Sequence, residues 1–403
     1  MDAVRNPYNP GAGTQPPVFL GRDELIEEFR VALERTIAGR PGKSLVPIGL
    51  RGVGKTVLLN KFVETARERG AKIAFVEAPE GGAFRQMLAA QLRKILTELD
   101  SVGPLSTVVK KAKGALKSFS VTVGLDGSTS FGLGGDALAG TADSGILSED
   151  LTDLLEAVGE AARDRKTCVV LAIDEVQYLN EEEFGALITA IHRTTQQALP
   201  LILVGTGLPA IPMLAGNAKS YAERLFNFPR IDSLNDEDAR NAIADPAKAQ
   251  GVVFEEAALD EIVDLTKGYP YFIQEWGYEA WNAAPSSPIS AEIVANVRAI
   301  VQTKLDRSFF SVRLDRLTPS ERKYLRAMAQ LGFGPHRSGD IARQYGTGVE
   351  SAAPIRSLLI KKGMVYSPAH GDTAFTVPLF DEFMRRAVPD EPAAPKRRTS
   401  GRT

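Results

Sequence analysis

Between residues 44 and 205 the apolar positions switch repeatedly between two periods. Short continuous apolar runs at 45–49, 72–77, 167–173 and 199–205 are strand-like. The last two have the unbroken apolar character of strands covered on both faces. The stretches between them repeat at helical spacing. Residues 56–69 place Val57, Leu58, Phe62, Val63 and Ala66 on one face and stop at Gly70, and 84–99 and 181–197 follow the same rule. This alternation predicts an α/β chain with a three-layer domain around a parallel sheet. Pro47 is discordant, because inside the first strand it removes a ladder donor, which a strand tolerates near its end or at a bulge.

Residues 100–150 break the alternation. Residues 109–117 are basic. Residues 118–131 alternate (Phe119, Val121, Val123, Leu125) around Asp126-Gly127, a hairpin signal, and 132–142 are Gly-rich. The segment reads as an exposed, mobile insertion, either a contact element or a tolerated surface excursion. Residues 1–17, rich in Pro and Gly, read as an extended lead-in.

A different pattern begins at Leu317. Thr318 is the expected N-cap and Pro319 the first residue of a helix whose face carries Tyr324, Leu325, Met328 and Leu331. A second helix is expected at 338–345 and a third at 351–362, stopped by Gly363. Residues 364–366 pair with 374–377 across a turn at His370-Gly371-Asp372. The resulting boundaries are a lead-in at 1–17, a core at 18–232, helices at 233–312, a basic module at 313–388 and a disordered basic tail at 389–403.

Composition narrows the classes. The 403 residues are 44% hydrophobic and 24% charged, an ordinary globular balance, and the length suits two or three domains. The net charge of −2 hides an asymmetry: residues 301–403 hold 18 Lys+Arg against 10 Asp+Glu. Cys168 is the single cysteine, which excludes an intrachain disulfide and a Cys-based zinc site. No run of 18 apolar residues exists, so no membrane-spanning helix is expected. The N-terminal stretch has no apolar signal core, so a cytoplasmic protein is expected.

The strongest chemical signal is Gly49-Leu50-Arg51-Gly52-Val53-Gly54-Lys55-Thr56, followed by Val57, between a strand and a helix. Glycines let the backbone wrap a phosphate chain, and the loop N–H groups and helix N-terminus face the anion. Lys55 reaches the β- and γ-phosphates, and Thr56 supplies a hydroxyl to Mg²⁺. The second signal is the apolar run 169–173 ending in Asp174 and Glu175, at the strand edge where open α/β sheets bind ligands. Asp174 suits the metal and Glu175 suits polarisation of the attacking water. No Asn-Lys-x-Asp segment reads guanine, so ATP is the expected nucleotide.

These segments resemble AAA+ and related signal-transduction P-loop ATPases of the additional-strand class, in particular the archaeal-ATPase-like and Orc1/Cdc6-like families. The segment Phe19-Leu20-Gly21-Arg22-Asp23-Glu24 resembles the Gly-Arg pair that precedes the first helix, which implies that Arg22 lies by the nucleotide. Asp174-Glu175-Val176-Gln177 is similar to the D-E-x-Q form of the acidic strand end. Thr206 falls where these families place a polar sensor that orients water. Gly268-Tyr269-Pro270 resembles the G-x-P segment that starts a lid helix. Residues 220–226 resemble the stretch bearing an arginine finger, so Arg224, or alternatively Arg230, would serve a neighbouring subunit; the other reading is a surface arginine in an ion pair. Tyr271 stands where the replication branch often has Arg, which pulls the reading toward the signalling branch.

Three helices and a hairpin in the basic module resemble the winged helix that Orc1/Cdc6-like proteins carry after the lid. The third helix would then offer Arg356, Lys361 and Lys362 to DNA phosphates, and the hairpin tip His370. The helix begins Glu350, Ser351, Ala352, Ala353, Pro354, which is poor in base-reading side chains, so duplex DNA binding would be largely sequence-independent. The alternative is a module, and an insertion at 100–150, that grip a protein partner; a homo-oligomer is a separate assembly left open.

Overall fold

The computed structural model describes residues 1–11, 13–101, 106–122 and 140–388, in two compact units, 1–294 and 295–403. Unit 1 is built on five parallel strands, β1 Ser44–Leu45, β2 Lys72–Glu77, β3 Val169–Asp174, β4 Leu201–Gly205 and β5 Phe226–Asn227, ordered β2-β3-β4-β1-β5. β4 is therefore inserted between β1 and β3. Every residue of β3 is buried, which is why its sequence is an unbroken apolar run.

Pro47 explains why β1 is so short. Val46 and Ile48 donate to the carbonyls of Asn227 and Pro229 on one side, at 2.8 and 2.9 Å. On the other side Gly49 donates to the Gly207 carbonyl, and the Pro47 carbonyl accepts from the Gly207 amide. The missing proline donor falls between β1 and β4, so regular pairing stops and resumes only as single bridges at Ile48.

The helices of unit 1 are α1 Asp23–Ile37, α2 Lys55–Glu68, α3 Phe84–Ser101, α4 Thr107–Thr122, α5 Leu147–Asp164, α6 Glu181–Gln196, α7 Ile211–Ala218, α8 Ala222–Leu225, α9 Asp236–Ala249, α10 Glu256–Thr266, α11 Pro270–Ala283 and the start of α12 Ala291–Lys304. None among the described residues is long and apolar enough to cross a membrane.

The strand expected from residue 118 is corrected at 118–122, where the chain continues α4. Val109, Ala112, Ala115, Leu116 and Phe119 are buried at intervals of three and four, while Val121 is 49% exposed. The period is helical, and Phe119–Val121 matched a strand only over two turns of alternation. α4 is also part of the core with α3 and α5, so this part of the 100–150 segment is not a surface excursion. The Asp126-Gly127 turn lies outside the described residues, as does the Gly-rich run up to residue 139. α5 has a clear apolar stripe (Leu147, Leu151, Leu154, Leu155, Val158) that the strand–helix reading passed over.

The lead-in expected to be extended instead opens with a 3-10 turn at Ala3–Arg5, capped by Asp2, and its described residues are tied down. Asn6 donates to the Tyr278 carbonyl and to Asn282, Asn9 donates to Gln274, and the Trp281 indole donates to the Asp2 carbonyl. Tyr8 is buried, with its hydroxyl on the Ile243 carbonyl and its ring over Gly277, where an added Cβ would come within 2.5 Å. Tyr8→Ala should destabilise unit 1 by about 3 kcal/mol, as expected for losing a buried aromatic. Both tryptophans, Trp276 and Trp281, sit on α11. Urea denaturation followed by their emission would measure the loss.

Unit 2 continues from α12 through a π-helical turn, Leu305–Ser311, into α13 Val312–Leu314, α14 Pro319–Gln330, α15 Ser338–Tyr345, α16 Val349–Lys361 and α17 Phe380–Ala387. Strands β6 His336–Arg337, β7 Val365–Tyr366 and β8 Asp372–Phe375 form an antiparallel sheet ordered β6-β8-β7. Thr318 caps α14 with a reciprocal Glu321 bond and Pro319 opens it. The β7–β8 pairing has the expected partners, Val365 with Phe375 and Tyr366 with Ala374. Leu331 departs from expectation: it ends α14 and is 36% exposed, while Tyr324, Leu325 and Met328 are buried.

Candidate nucleotide site

The carboxyl ends of β1, β3 and β4 share one sheet edge, since Glu77 pairs with Asp174, Ile173 with Gly205 and Leu45 with Val204. Each of these strands hands over directly to a functional loop. β1 leads into the loop at 49–54, which bends through Gly52 at φ +88° and Gly54 at φ +92°, where side chains are disfavoured. Gly54 is the N-cap of α2, so the first turn of that helix, Lys55 to Val57, opens at the cradle with its free N–H groups.

Asp174 is the hub. Its Oδ2 accepts the Thr56 hydroxyl at 2.7 Å, and its Oδ1 accepts the Thr206 hydroxyl and, at 2.9 Å, the Glu175 amide. Residues 118 positions apart in sequence thus meet through one side-chain bond. A hydroxyl and a carboxylate at this separation are the hard oxygen donors that Mg²⁺ takes alongside water and phosphate. Thr206 is fully buried, its amide on the Ile173 carbonyl. Glu175 follows at φ +53°, an uncommon backbone for a residue with a side chain.

Lys55 is only 6% exposed, and its ammonium donates to the Leu50 carbonyl at 2.8 Å. Burial pushes it below the usual lysine range, while Glu175 and Asp174 pull the other way. Arg51 donates to the Tyr178 hydroxyl at 2.7 Å. Burial works against its charge, but Tyr178, Glu175 and Glu80 outweigh that and leave the guanidinium raised. Val53 is buried in the loop wall.

Other expected residues take varied places. Arg22 is the N-cap of α1 and donates to the carbonyls of Gly21 and Asp232; burial lowers it, against Asp232 and Asp238. Pro270 is the first residue of α11, and its neighbours reach the phosphate loop: a Cβ on Gly52 would lie 3.0 Å from the Tyr269 ring and 3.3 Å from Tyr271. Arg224 in α8 and Arg230 after β5 are exposed, and neither side chain bonds to the loop or the acidic pair. Arg356 is drawn inward, donating to Thr373, Ser367 and the Asp372 carbonyl. Lys362 pairs with Glu321 at 2.7 Å. Lys361 and His370 are exposed. Tyr178 and Tyr269, which sequence reasoning assigned no role, both face the loop; only a folded chain reveals that.

The sheet with its added strand, the glycine cradle and the Thr56–Asp174 bond define a P-loop nucleotide-binding domain of the additional-strand class. Residues 18–204 match the family described as AAA ATPase domain, and the chain carries an AAA-type ATPase domain. Residues 307–384 match a family described as Domain of unknown function (DUF8462). Among solved structures, a Walker-type ATPase of Pyrococcus abyssi is similar in fold, with a TM-score of 0.53 and 17% identity over 93% of this chain and 98% of that one. The RuvB Holliday junction branch migration motor of Thermotoga maritima aligns at 17% identity over 88% of this chain and 92% of its own, TM-score 0.45. Cdc6p of Pyrobaculum aerophilum aligns at 13% identity over 96% and 97%, TM-score 0.46. No curated protein matches the chain in sequence.

Proposed function

We propose that the chain binds Mg-ATP in the cradle of residues 49–57 and hydrolyses it slowly, acting as a cytoplasmic conformational switch. The observation that carries this is the Thr56–Asp174 bond, which brings the phosphate loop and the acidic strand end to one point. Lys55 neutralises the terminal phosphates, and Thr56 and Asp174 would hold the magnesium. A magnesium ion held there would supply neutralisation of the charge that develops on the phosphates. Glu175 accepts the proton of the attacking water, and Thr206, on the neighbouring strand end, orients that water. Pro270 starts a helix against the loop, so occupancy of the cradle is felt by α11. Arg224 serves a second copy of the chain if the protein assembles.

The output is read from unit 2. Its helices and three-stranded sheet suit a winged helix, and the basic charge of 301–403 favours duplex DNA contacted through phosphates. Arg356 and Lys362 are occupied inside the unit, so Lys361 and His370 carry the proposed contact. The second reading, a protein partner, is favoured by the same two internal bonds, which leave a thinner basic face.

Two experiments test the two parts. ATP turnover should require magnesium and cease with a chelator. Fluorescence anisotropy should show duplex DNA binding that weakens steeply across a salt series. A protein that neither binds nor hydrolyses ATP sinks the nucleotide reading, and a flat anisotropy trace at low salt leaves the protein partner.

A further inference from the structure

The carboxylate of Glu175 is gripped from its own loop. Gln177 donates through Nε2 to Glu175 Oε2, while its Oε1 accepts the Leu208 amide at 3.0 Å. The two ends of the carboxamide are thereby fixed in opposite senses. Turning it over would set Nε2 against the Leu208 N–H and Oε1 against a carboxylate.

The segment that holds Gln177 has no slack. Thr206 donates from its amide to the Ile173 carbonyl and from its hydroxyl to Asp174, and the Val176 amide donates back to the Thr206 carbonyl at 3.0 Å. Gly207 lies so close that an added Cβ would come 2.5 Å from Gln177 Oε1 and 2.2 Å from Ile211. Glu175 is held as firmly at its backbone: its amide is on Asp174, and its carbonyl accepts the Tyr178 amide at 3.0 Å. With both frames fixed, the freedom left is the long glutamate side chain, and one immobile donor restrains it.

We propose that Gln177 is a positioning residue for Glu175. Its Nε2 holds Oε2 and leaves Oε1 turned to accept from water, and its bond to Leu208 makes the carboxylate follow the 206–208 segment. Because Thr206 in that segment also bonds Asp174, the two acidic residues are aligned through one unit of structure. This rests on the reading of Glu175 as the proton acceptor.

The test uses the full chain with Gln177→Ala, Gln177→Glu and Glu175→Gln, reading kcat, KM, ATP affinity and thermal midpoint. Gln177→Ala should lose about 10-fold or more in kcat, a cost typical of a misplaced reacting group, with ATP affinity little changed. Gln177→Glu keeps an acceptor for the Leu208 amide and removes the donor to Glu175, so it should fall at least as far while folding normally. Added to Glu175→Gln, Gln177→Ala should cost little more, because the two act as a unit.

Wild-type kcat in Gln177→Glu would mean that only the Leu208 tie matters and would overturn the proposal; so would a wild-type rate in Gln177→Ala. Should Gln177→Ala not fold, Gln177→Glu decides alone. Glu175→Gln turning over like the wild type is a different failure, since it removes Glu175 from the proposed chemistry itself.

Discussion

Glu175→Gln should bind ATP as the wild type does and lose hydrolysis by about 100-fold or more, the range expected when a positioned proton acceptor is removed. The substitution keeps shape and can still accept a hydrogen bond, so the cradle, Lys55 and the Thr56–Asp174 bond are untouched. Its contact with Gln177 survives, since an amide oxygen accepts from Nε2 as a carboxylate does. Binding and chemistry therefore separate in one variant. Phosphate release measured beside a nucleotide-binding curve would check this. Equal turnover in both proteins would contradict it.

Lys55→Met should abolish ATP binding at nucleotide concentrations that just saturate the wild type, without costing the nucleotide-free protein its fold. The ammonium supplies a charge-assisted contact to phosphate worth about 3 kcal/mol, or about 100-fold in affinity. ATP should raise the melting temperature of the wild type and leave the variant unmoved. The fold should survive because Lys55 is itself a buried cation. Burial depresses its proton affinity, so the unfolded chain holds that proton up to the ordinary value of 10.5 and the folded site releases it earlier. Unfolding then takes up a proton in that interval, and wild-type stability rises with pH through it. Methionine carries no such cost at neutral pH. Without nucleotide, Lys55→Met should melt no lower than the wild type near neutrality, and any advantage should vanish as pH approaches 10.5. A variant that still shifts with ATP would contradict the assignment.

The fold of unit 1 was legible where a periodic pattern is long and unmixed. β2, β3 and α6 lie where the apolar periods put them, since a strand covered on both faces or a one-faced helix leaves little choice of pairing. At 118–122 the hairpin signal of Phe119, Val121, Val123 and Leu125 around Asp126-Gly127 competes with a helical stripe begun at Val109, and the helix prevails because Phe119 completes the buried face of α4. α5 was equally legible, since Leu151, Leu154, Leu155 and Val158 have helical spacing. Pro47 was a correct warning: β1 pairs regularly for two residues only.

What the sequence determined by itself was the chemistry of two local stretches. A loop with glycines at the positive-φ positions, followed by Lys-Thr at a helix start, specifies an anion cradle. An apolar run ending in Asp174-Glu175 specifies carboxylates at a strand edge. Local backbone preference and periodicity suffice for both. Only the tertiary structure decided which groups act on one another. It put Thr56 and Thr206 on the same carboxylate, Tyr269 against Gly52, Gln177 between Glu175 and Leu208, and the half-buried Arg356 on Thr373, Ser367 and the Asp372 carbonyl of its own unit. Those contacts join residues far apart in the chain, and parallel strand order with side-chain packing sets their distances.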